Sequence, residues 1–588
     1  MTSIRDTQPV QKIEAGAKLT TAGLVLVTPP ALYFTHHYVA FSGYLTACVA
    51  ILAWWLLLSK HAVRKNRVLA LRRRIRMRLR PSAGYANLAE LGTRWSRITA
   101  ACGHGKRSRP GMSWWRRMNS PATQYAVRLG RAQYGVRVFG RMEDQVLLLA
   151  PPRTGKSGLI ADRICDHPGG VVATSTRPDL YLTTREDRQK LGRIEVFNPQ
   201  QVGHVRSTMR FDLLSPCRDM VMAFRMATWL SGGSGGPAQG NLEWFAAKGE
   251  VALAGLLFAA AMSGSTVTDV YRWVQLTDTE TPLKILAEFG TEEMLAVVRH
   301  TFEETRTAGS IRDTIDLVLK WAALPELAAS VTPRPGEPML DVAELALRHG
   351  TLYLIGSGDE NSPLTPLYRA LTSYIHYESG ILGTRQPSGR LDPPLFMALD
   401  EVTQICPIDL PGMLADSAGK GILIQPVVHS IAQLEDRYGQ AAARTIWANC
   451  GTKIFLPGTT DHETLRNVKE LLDTIAVDDR HVDICPPALL RTLPNWRALV
   501  ISGNRDPLIV KIRPVWKRPD RTFPGRYLAR RRDDAVPQSV DVPAVTQALE
   551  LAETVTDTVP AGDPVRVPGP REHSHTWPNT SHYDPHRQ

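Results

Sequence analysis

Val146-Leu147-Leu148-Leu149-Ala150-Pro151-Pro152-Arg153-Thr154-Gly155-Lys156-Ser157-Gly158 is the stretch on which the fold turns. Four apolar residues in an unbroken run read as a strand buried on both faces. A short loop follows, and a helix opens near Gly158. The loop has the spacing G-x-x-x-x-G-K-[ST], with Ala150 in place of the first glycine. Backbone N–H groups at such a helix N-terminus wrap a β-phosphate, where aligned peptide dipoles favour negative charge. Lys156 then neutralises β- and γ-phosphate oxygens, and the Ser157 hydroxyl is placed to ligate Mg²⁺. Ala150 through Gly158 are thus the candidate cofactor-binding residues, for ATP with Mg²⁺.

Further short apolar runs alternate with helical ones. They are Gly170–Ala173, Ile194–Phe197, Leu352–Ile355, Leu395–Leu399, Ile422–Val428 and Thr452–Leu456. Buried strands separated by helices predict an α/β fold with a doubly wound, mostly parallel sheet. The run at Leu395 ends in Asp400-Glu401. Two acids often do no more than close a strand. Beside a phosphate loop they have a chemical reading: Asp400 holds Mg²⁺ through water, and Glu401 polarises the attacking water. Strand signals vanish between 217 and 345, where Trp244–Met262, Thr281–Phe302 and Ile311–Leu327 carry helical periodicity. An all-α insertion is expected there. Its Trp244 and Phe245 read as core more readily than as substrate contacts.

The N-terminal part has two apolar stretches, Leu19–Phe34 and Val39–Leu58, each near the roughly 20 residues that cross about 30 Å of hydrocarbon. Arg64, Lys65, Arg67, Arg72, Arg73, Arg74, Arg76, Arg78 and Arg80 follow at once and mark the cytoplasmic side. The expected organisation is a transmembrane helical hairpin over 1–62 (spans about 18–35 and 39–58), then a basic juxtamembrane connector over 63–133. A nucleotide-binding domain follows in two parts, 134–216 and 346–532, around the all-α insertion 217–345, and a disordered tail covers 533–588. The net charge of +13 and pI near 9.5 point to an anionic partner, nucleic acid or anionic lipid. Seven scattered cysteines with no C-x-x-C argue against a disulfide framework or a zinc site.

Several segments in fixed order resemble the type IV secretion coupling proteins of the TraG/TraD kind, the ATPases of conjugative DNA transfer. Ser175-Thr176-Arg177-Pro178-Asp179-Leu180 leads into Val196-Phe197-Asn198-Pro199, with Arg177 where that family usually has lysine. Downstream come Gly419-Lys420-Gly421-Ile422, His429-Ser430 with Gln433-Leu434, Tyr438-Gly439, Asn449-Cys450-Gly451-Thr452, and Asp461 with Glu463-Thr464. The resemblance runs from the apolar hairpin to about residue 516. It implies a RecA-like P-loop ATPase domain in a homo-hexameric ring, anchored as a multi-pass protein in the bacterial plasma (inner) membrane with the ATPase domain cytoplasmic. It also implies partners: DNA carrying a bound relaxase, and the proteins of a type IV secretion channel. Catalytic positions on this reading are Lys156, Asp400, Glu401 and His429, and metal positions are Ser157 and Asp400. His429 stands where the family has a γ-phosphate-sensing glutamine, and Lys420 stands near its arginine finger. Arg437 and Arg444 are alternative fingers. Competing readings are an FtsK-like double-strand DNA pump and a secretion-system receptor that does not hydrolyse ATP.

Overall fold

A computed structural model describes residues 47–51 and 84–518, apart from 233–240, 277, 279, 304, 360–361 and 478–479. Thirteen strands are present among these: β1 (Ala126–Arg131), β2 (Arg137–Arg141), β3 (Val146–Leu149), β4 (Val171–Ser175), β5 (Ile194–Phe197), β6 (Thr351–Ile355), β7 (Leu395–Asp400), β8 (Ile422–Val428), β9 (Thr452–Phe455), β10 (Thr474–Val477), β11 (Arg480–Asp483), β12 (Arg497–Ser502) and β13 (Arg505–Lys511). Eleven form one sheet in the order β2-β1-β13-β12-β9-β3-β8-β7-β4-β6-β5, and β10 pairs with β11 as a separate hairpin. From β9 to β5 the sheet is parallel. The seven runs read from the sequence are these seven strands. β12, β13, β1 and β2 extend the β9 edge as an antiparallel addition.

Alternation along each central strand feeds two apolar cores. Leu147, Leu149, Leu395, Met397 and Leu399 belong to one, and Val146, Leu148, Phe396 and Ala398 to the other. A strand with both faces buried needs apolar residues at every position, which is why period-2 patterning is missing from these runs. On one face, the Lys156–Asp166 helix packs Leu159, Ile160, Ala161 and Ile164 into the second core. On the other, the insertion joins the first core through Ala252–Ala261 of the long Asn241–Ser263 helix, with Trp273 and Trp321.

Among the described residues no strand lies between Phe197 and Thr351. The Thr281–Phe302 run is two helices, Glu280–Phe289 and Glu292–Thr301, broken at Gly290 and restarted by the Thr291 side chain, which accepts from the Met294 N–H. An N-cap of this kind overrides continuous helical periodicity.

The segment expected as a connector differs most. Its described part holds the helices Leu88–Arg94, Arg97–Cys102, His104–Ser108 and Trp114–Asn119, and β1, so the folded unit starts well before residue 134. Trp95 is fully buried, with the Arg505 guanidinium 4.5 Å from its ring centroid. These helices run five to seven residues and bury one or two each, too short for a 3.6-residue period to emerge. The two expected membrane spans and the 533–588 tail lie outside the described residues, apart from the helical residues 47–51. Trp244–Ser263 is the one described segment long and apolar enough to cross a membrane, and it is also the core helix of the insertion.

Candidate nucleotide site

Strand order sets the site. β3 pairs in parallel with β8, and β8 with β7, placing Leu148 opposite Val427 and Val427 opposite Asp400. The loop after β3 and the acids ending β7 therefore emerge at the same C-terminal end of the parallel strands, two strand spacings or about 10 Å apart. A lysine side chain bridges the remainder. Lys156 Nζ lies 3.3 Å from Asp400 Oδ1 and donates to Glu401 Oε1.

The loop itself is built for anions. Gly155 is the N-cap of the Lys156–Asp166 helix at φ 95°, and no side chain caps the first N–H groups. The positive φ favours glycine. A Cβ there would also sit 2.6 Å from the Trp496 ring. Arg153 takes φ 64°, while Thr154 Oγ1 donates to the Pro151 carbonyl at 2.6 Å and braces the turn. Ala150 is not among the positive-φ residues, so replacing the first glycine of the motif carries no backbone strain. Its N–H donates to the Val428 carbonyl at 3.0 Å.

Glu401 is held in the left-handed region (φ 52°, ψ 44°), which costs about 1–3 kcal/mol for a residue with a Cβ. Its carbonyl accepts from the N–H groups of Gln404 and Ile405, each at 3.0 Å, and fixes the turn. Thr174 Oγ1 donates to the Asp400 carbonyl at 2.7 Å from the neighbouring strand. Both acids are buried, and Asp400 Oδ1 and Glu401 Oε2 have no hydrogen-bond partner among the described residues. The Oδ1–Lys156 approach is an ion-pair contact without hydrogen-bond geometry. Buried acceptors without donors are costly, and a hydrated cation or a reacting water meets that need.

Burial pushes the Asp400 carboxyl up to about 6, against the opposing pull of Lys156 and with a further push from the neighbouring Glu401 charge. Burial acts on Glu401 in the same sense, but hydrogen bonds from His429 and Lys156 outweigh it and hold that carboxyl below its usual value. His429 Nε2 lies 3.2 Å from Glu401 Oε1, and Nδ1 lies 3.0 Å from the Ala150 carbonyl. Both neighbours are acceptors, so the ring fits best as an imidazolium donating from both nitrogens. The Glu401 hydrogen bond accordingly raises the His429 pKa. His429, the loop and Glu401 are thus one network, with the His429 N–H held by the Gln433 side chain at 2.9 Å.

The cleft around this network is lined by Pro152–Gly158, Ser175, Arg177, Asp179, Asp400, Glu401 and His429, and also by Asn495, Trp496, Val515 and Trp516. The last four were not legible in the sequence. They flank β12 and β13, whose position beside β9 depends on antiparallel pairing across long sequence separations. Of the three finger candidates, Lys420 is engaged by Asp416 one helical turn earlier. Arg437 and Arg444 are exposed and make no ion pair or hydrogen bond among the described residues. Ser157 lines the cleft with Asp400, and no cluster of three or more metal-ligating side chains is found among the described residues.

Comparison with known proteins bears on the fold and on one segment of the chain. Residues 394–482 match the family model described as the TraM recognition site of TraD and TraG. That segment runs from β7 to β11 and holds Asp400, Glu401, Lys420, His429, Arg437 and Arg444. No curated protein matches the chain in sequence. The plasmid coupling protein TrwB in complex with a non-hydrolysable ATP analogue superposes with TM-score 0.52 at 19% identity, covering 68% of this chain and 91% of that one. TrwB with a non-hydrolysable GTP analogue gives 0.51 at 19%, covering 63% and 86%. TrwB with ADP and Mg²⁺ gives 0.51 at 19%, covering 68% and 91%. The structures give the fold, a RecA-like P-loop architecture around an all-α insertion, and residues 394–482 carry the segment that TraD and TraG share.

Proposed function

We propose that this chain is a membrane-anchored ATPase that couples a relaxase–DNA substrate to a type IV secretion channel and drives DNA transfer during bacterial conjugation. The single observation that carries the reading is the convergence of Lys156, Asp400, Glu401 and His429 at the C-terminal end of the central parallel strands. The family match and the nucleotide complexes of TrwB support it. In this reading the amides of 151–158 cradle the β-phosphate, Lys156 turns from the acids to the β- and γ-oxygens, and Ser157 and Asp400 hold hydrated Mg²⁺. The bound metal supplies charge neutralisation at the transferring phosphoryl group. Glu401, kept ionised by a pKa held below its usual value, accepts the proton of the attacking water. The intact acid pair argues against a receptor that does not hydrolyse ATP.

Subunits are proposed to form a homo-hexamer at the inner face of the plasma membrane, with nucleotide between neighbours. The segment 394–482 is proposed to meet a TraM-like component of the relaxase–DNA complex. The test is ATP turnover by the purified full-length chain with no DNA, single-stranded DNA and double-stranded DNA, with Lys156→Ala as control. DNA-stimulated turnover that the variant loses supports the motor. Absence of turnover in every oligomeric state sinks it.

Arg437 and Arg444 are the proposed trans-acting cations, because a planar guanidinium not already paired suits a phosphoryl oxygen better than an ammonium held by Asp416. Arg437→Ala or Arg444→Ala is expected to lower turnover by about 10³-fold or more while leaving ATP affinity within a few-fold. Turnover unchanged in both variants, measured at saturating ATP, removes them from the site.

A third expectation concerns pH. The folded His429 pKa is raised, so its charge pair with Glu401 stabilises fully below about pH 6.5 and fades as pH rises through the folded value. Once neutral, with its Nδ1–H kept by Ala150, the ring turns a bare Nε2 lone pair toward Glu401 and any phosphate oxygen. Turnover at saturating ATP should therefore fall as pH rises through that pKa. His429→Gln, whose amide donates at every pH, should flatten the profile. An identical slope in wild type and variant between pH 6 and 9 would falsify the assignment.

A further inference from the structure

We infer that Trp496 and Trp516 form the nucleobase seat of this site and select a purine over a pyrimidine. The inference rests on the nucleotide reading above and deepens it. A Cβ on Gly155 would meet the Trp496 ring at 2.6 Å, and one on Gly158 would meet the Trp516 ring at 2.8 Å. The two indoles thus flank Lys156 and Ser157, over the first turn of the helix. In the strand order, Asp400, Glu401 and His429 stand at the ends of β7 and β8, on the other side of β3 from β12 and β13, and the γ-phosphate end belongs with them. The ribose and base must leave toward the tryptophans.

The rings meet edge to face, with centroids 5.1 Å apart and planes at 88°. Both remain half-buried and both line the cleft, so neither is spent wholly on the apolar core beneath. Aromatic surface of this kind stacks on flat bases, and the larger purine ring gains more from it. Asn495 stands exposed at the rim and brings an amide donor and acceptor to the base edge.

Backbone geometry is consistent with a site. Trp496 has φ 64°, a conformation rare for a bulky residue and characteristic of functional positions. It is held by the Ile512 N–H, which donates to the Trp496 carbonyl at 2.9 Å, and by the Arg497 N–H, which donates to the Pro494 carbonyl at 3.1 Å. These bonds aim the ring at Gly155 rather than along β12. A pair of tryptophans serving only to cover two glycines would need apolar bulk, not flat faces.

Equilibrium binding of ATP, UTP and inorganic tripolyphosphate to the full-length chain, measured by calorimetry without turnover, separates these roles. Trp496→Leu keeps apolar cover over Gly155 and removes the aromatic face. It should weaken ATP by on the order of 10- to 100-fold, leave tripolyphosphate unchanged and erase the preference for ATP over UTP. Trp496→Phe should stay within a few-fold of wild type, and Trp516→Leu should lose affinity in the same selective way. ATP binding unchanged in both leucine variants overturns the seat, as do equal losses for ATP and tripolyphosphate. Wild type that binds tripolyphosphate as tightly as ATP overturns the seat alone. Wild type that binds neither overturns the nucleotide reading as well.

Discussion

Lys156→Ala is expected to abolish nucleotide-dependent turnover, with a loss of at least about 10³-fold, and to make the nucleotide-free protein less stable in a pH-dependent way. The catalytic part follows from charge. Lys156 is the cation of the loop that faces both acids, and a shortened side chain leaves the γ-phosphate without its neutralising partner. The stability part follows from burial. Asp400 and Glu401 have side chains only 5% and 9% exposed, and Lys156 is the cation they share. Removing one member of a fully buried ion pair costs about 3–5 kcal/mol. The expected loss is smaller here, because Lys156 itself keeps 16% of its side-chain exposure.

Its sign with pH is set by Asp400. The folded pKa of about 6 lies above the ordinary 3.8, so Asp400 contributes most to stability below 3.8 and loses that contribution as pH rises to about 6. Without Lys156 the ionised carboxyl is costlier still. Melting temperatures should differ more between wild type and variant at pH 8 than at pH 5. A difference that is larger at pH 5 contradicts the ion-pair geometry.

Glu401→Gln is expected to lower turnover by about 10²–10⁴-fold while preserving ATP binding. The amide keeps the shape of the side chain and can still meet His429 and Lys156, but it cannot take a proton from water. Its Oε2 is the atom without a hydrogen-bond partner among the described residues, at the site where an attacking water is needed. The ground-state complex should form with near-normal affinity, because a neutral amide holds Lys156 less tightly than the carboxylate does. Single-turnover hydrolysis set beside equilibrium ATP affinity checks both halves. A variant that hydrolyses within tenfold of wild type would show that another group accepts the proton.

Much of the α/β domain was legible because its central strands are buried on both faces. Val146–Leu149, Leu395–Leu399 and Ile422–Val428 carry their identity in continuous apolar runs. The loop from Ala150 to Gly158 carries its chemistry in local spacing that needs no tertiary context. Asp400 and Glu401 were found by their place at the end of such a run. The helical insertion announced itself by the loss of strand signals over 217–345.

Other features belonged to tertiary structure alone. β12 and β13 became strands by pairing with β9 and β1, and Trp496 and Trp516 reached the loop only through that antiparallel addition. The folded start before residue 134 rests on short helices that bury one or two residues each, below the length at which periodicity speaks. His429 was singled out by resemblance, yet its double contact with Ala150 and Glu401 required β3, β8 and β7 to lie side by side. Local spacing determines which groups a segment can offer. Strand order, which depends on contacts hundreds of residues apart, decides which of those groups meet.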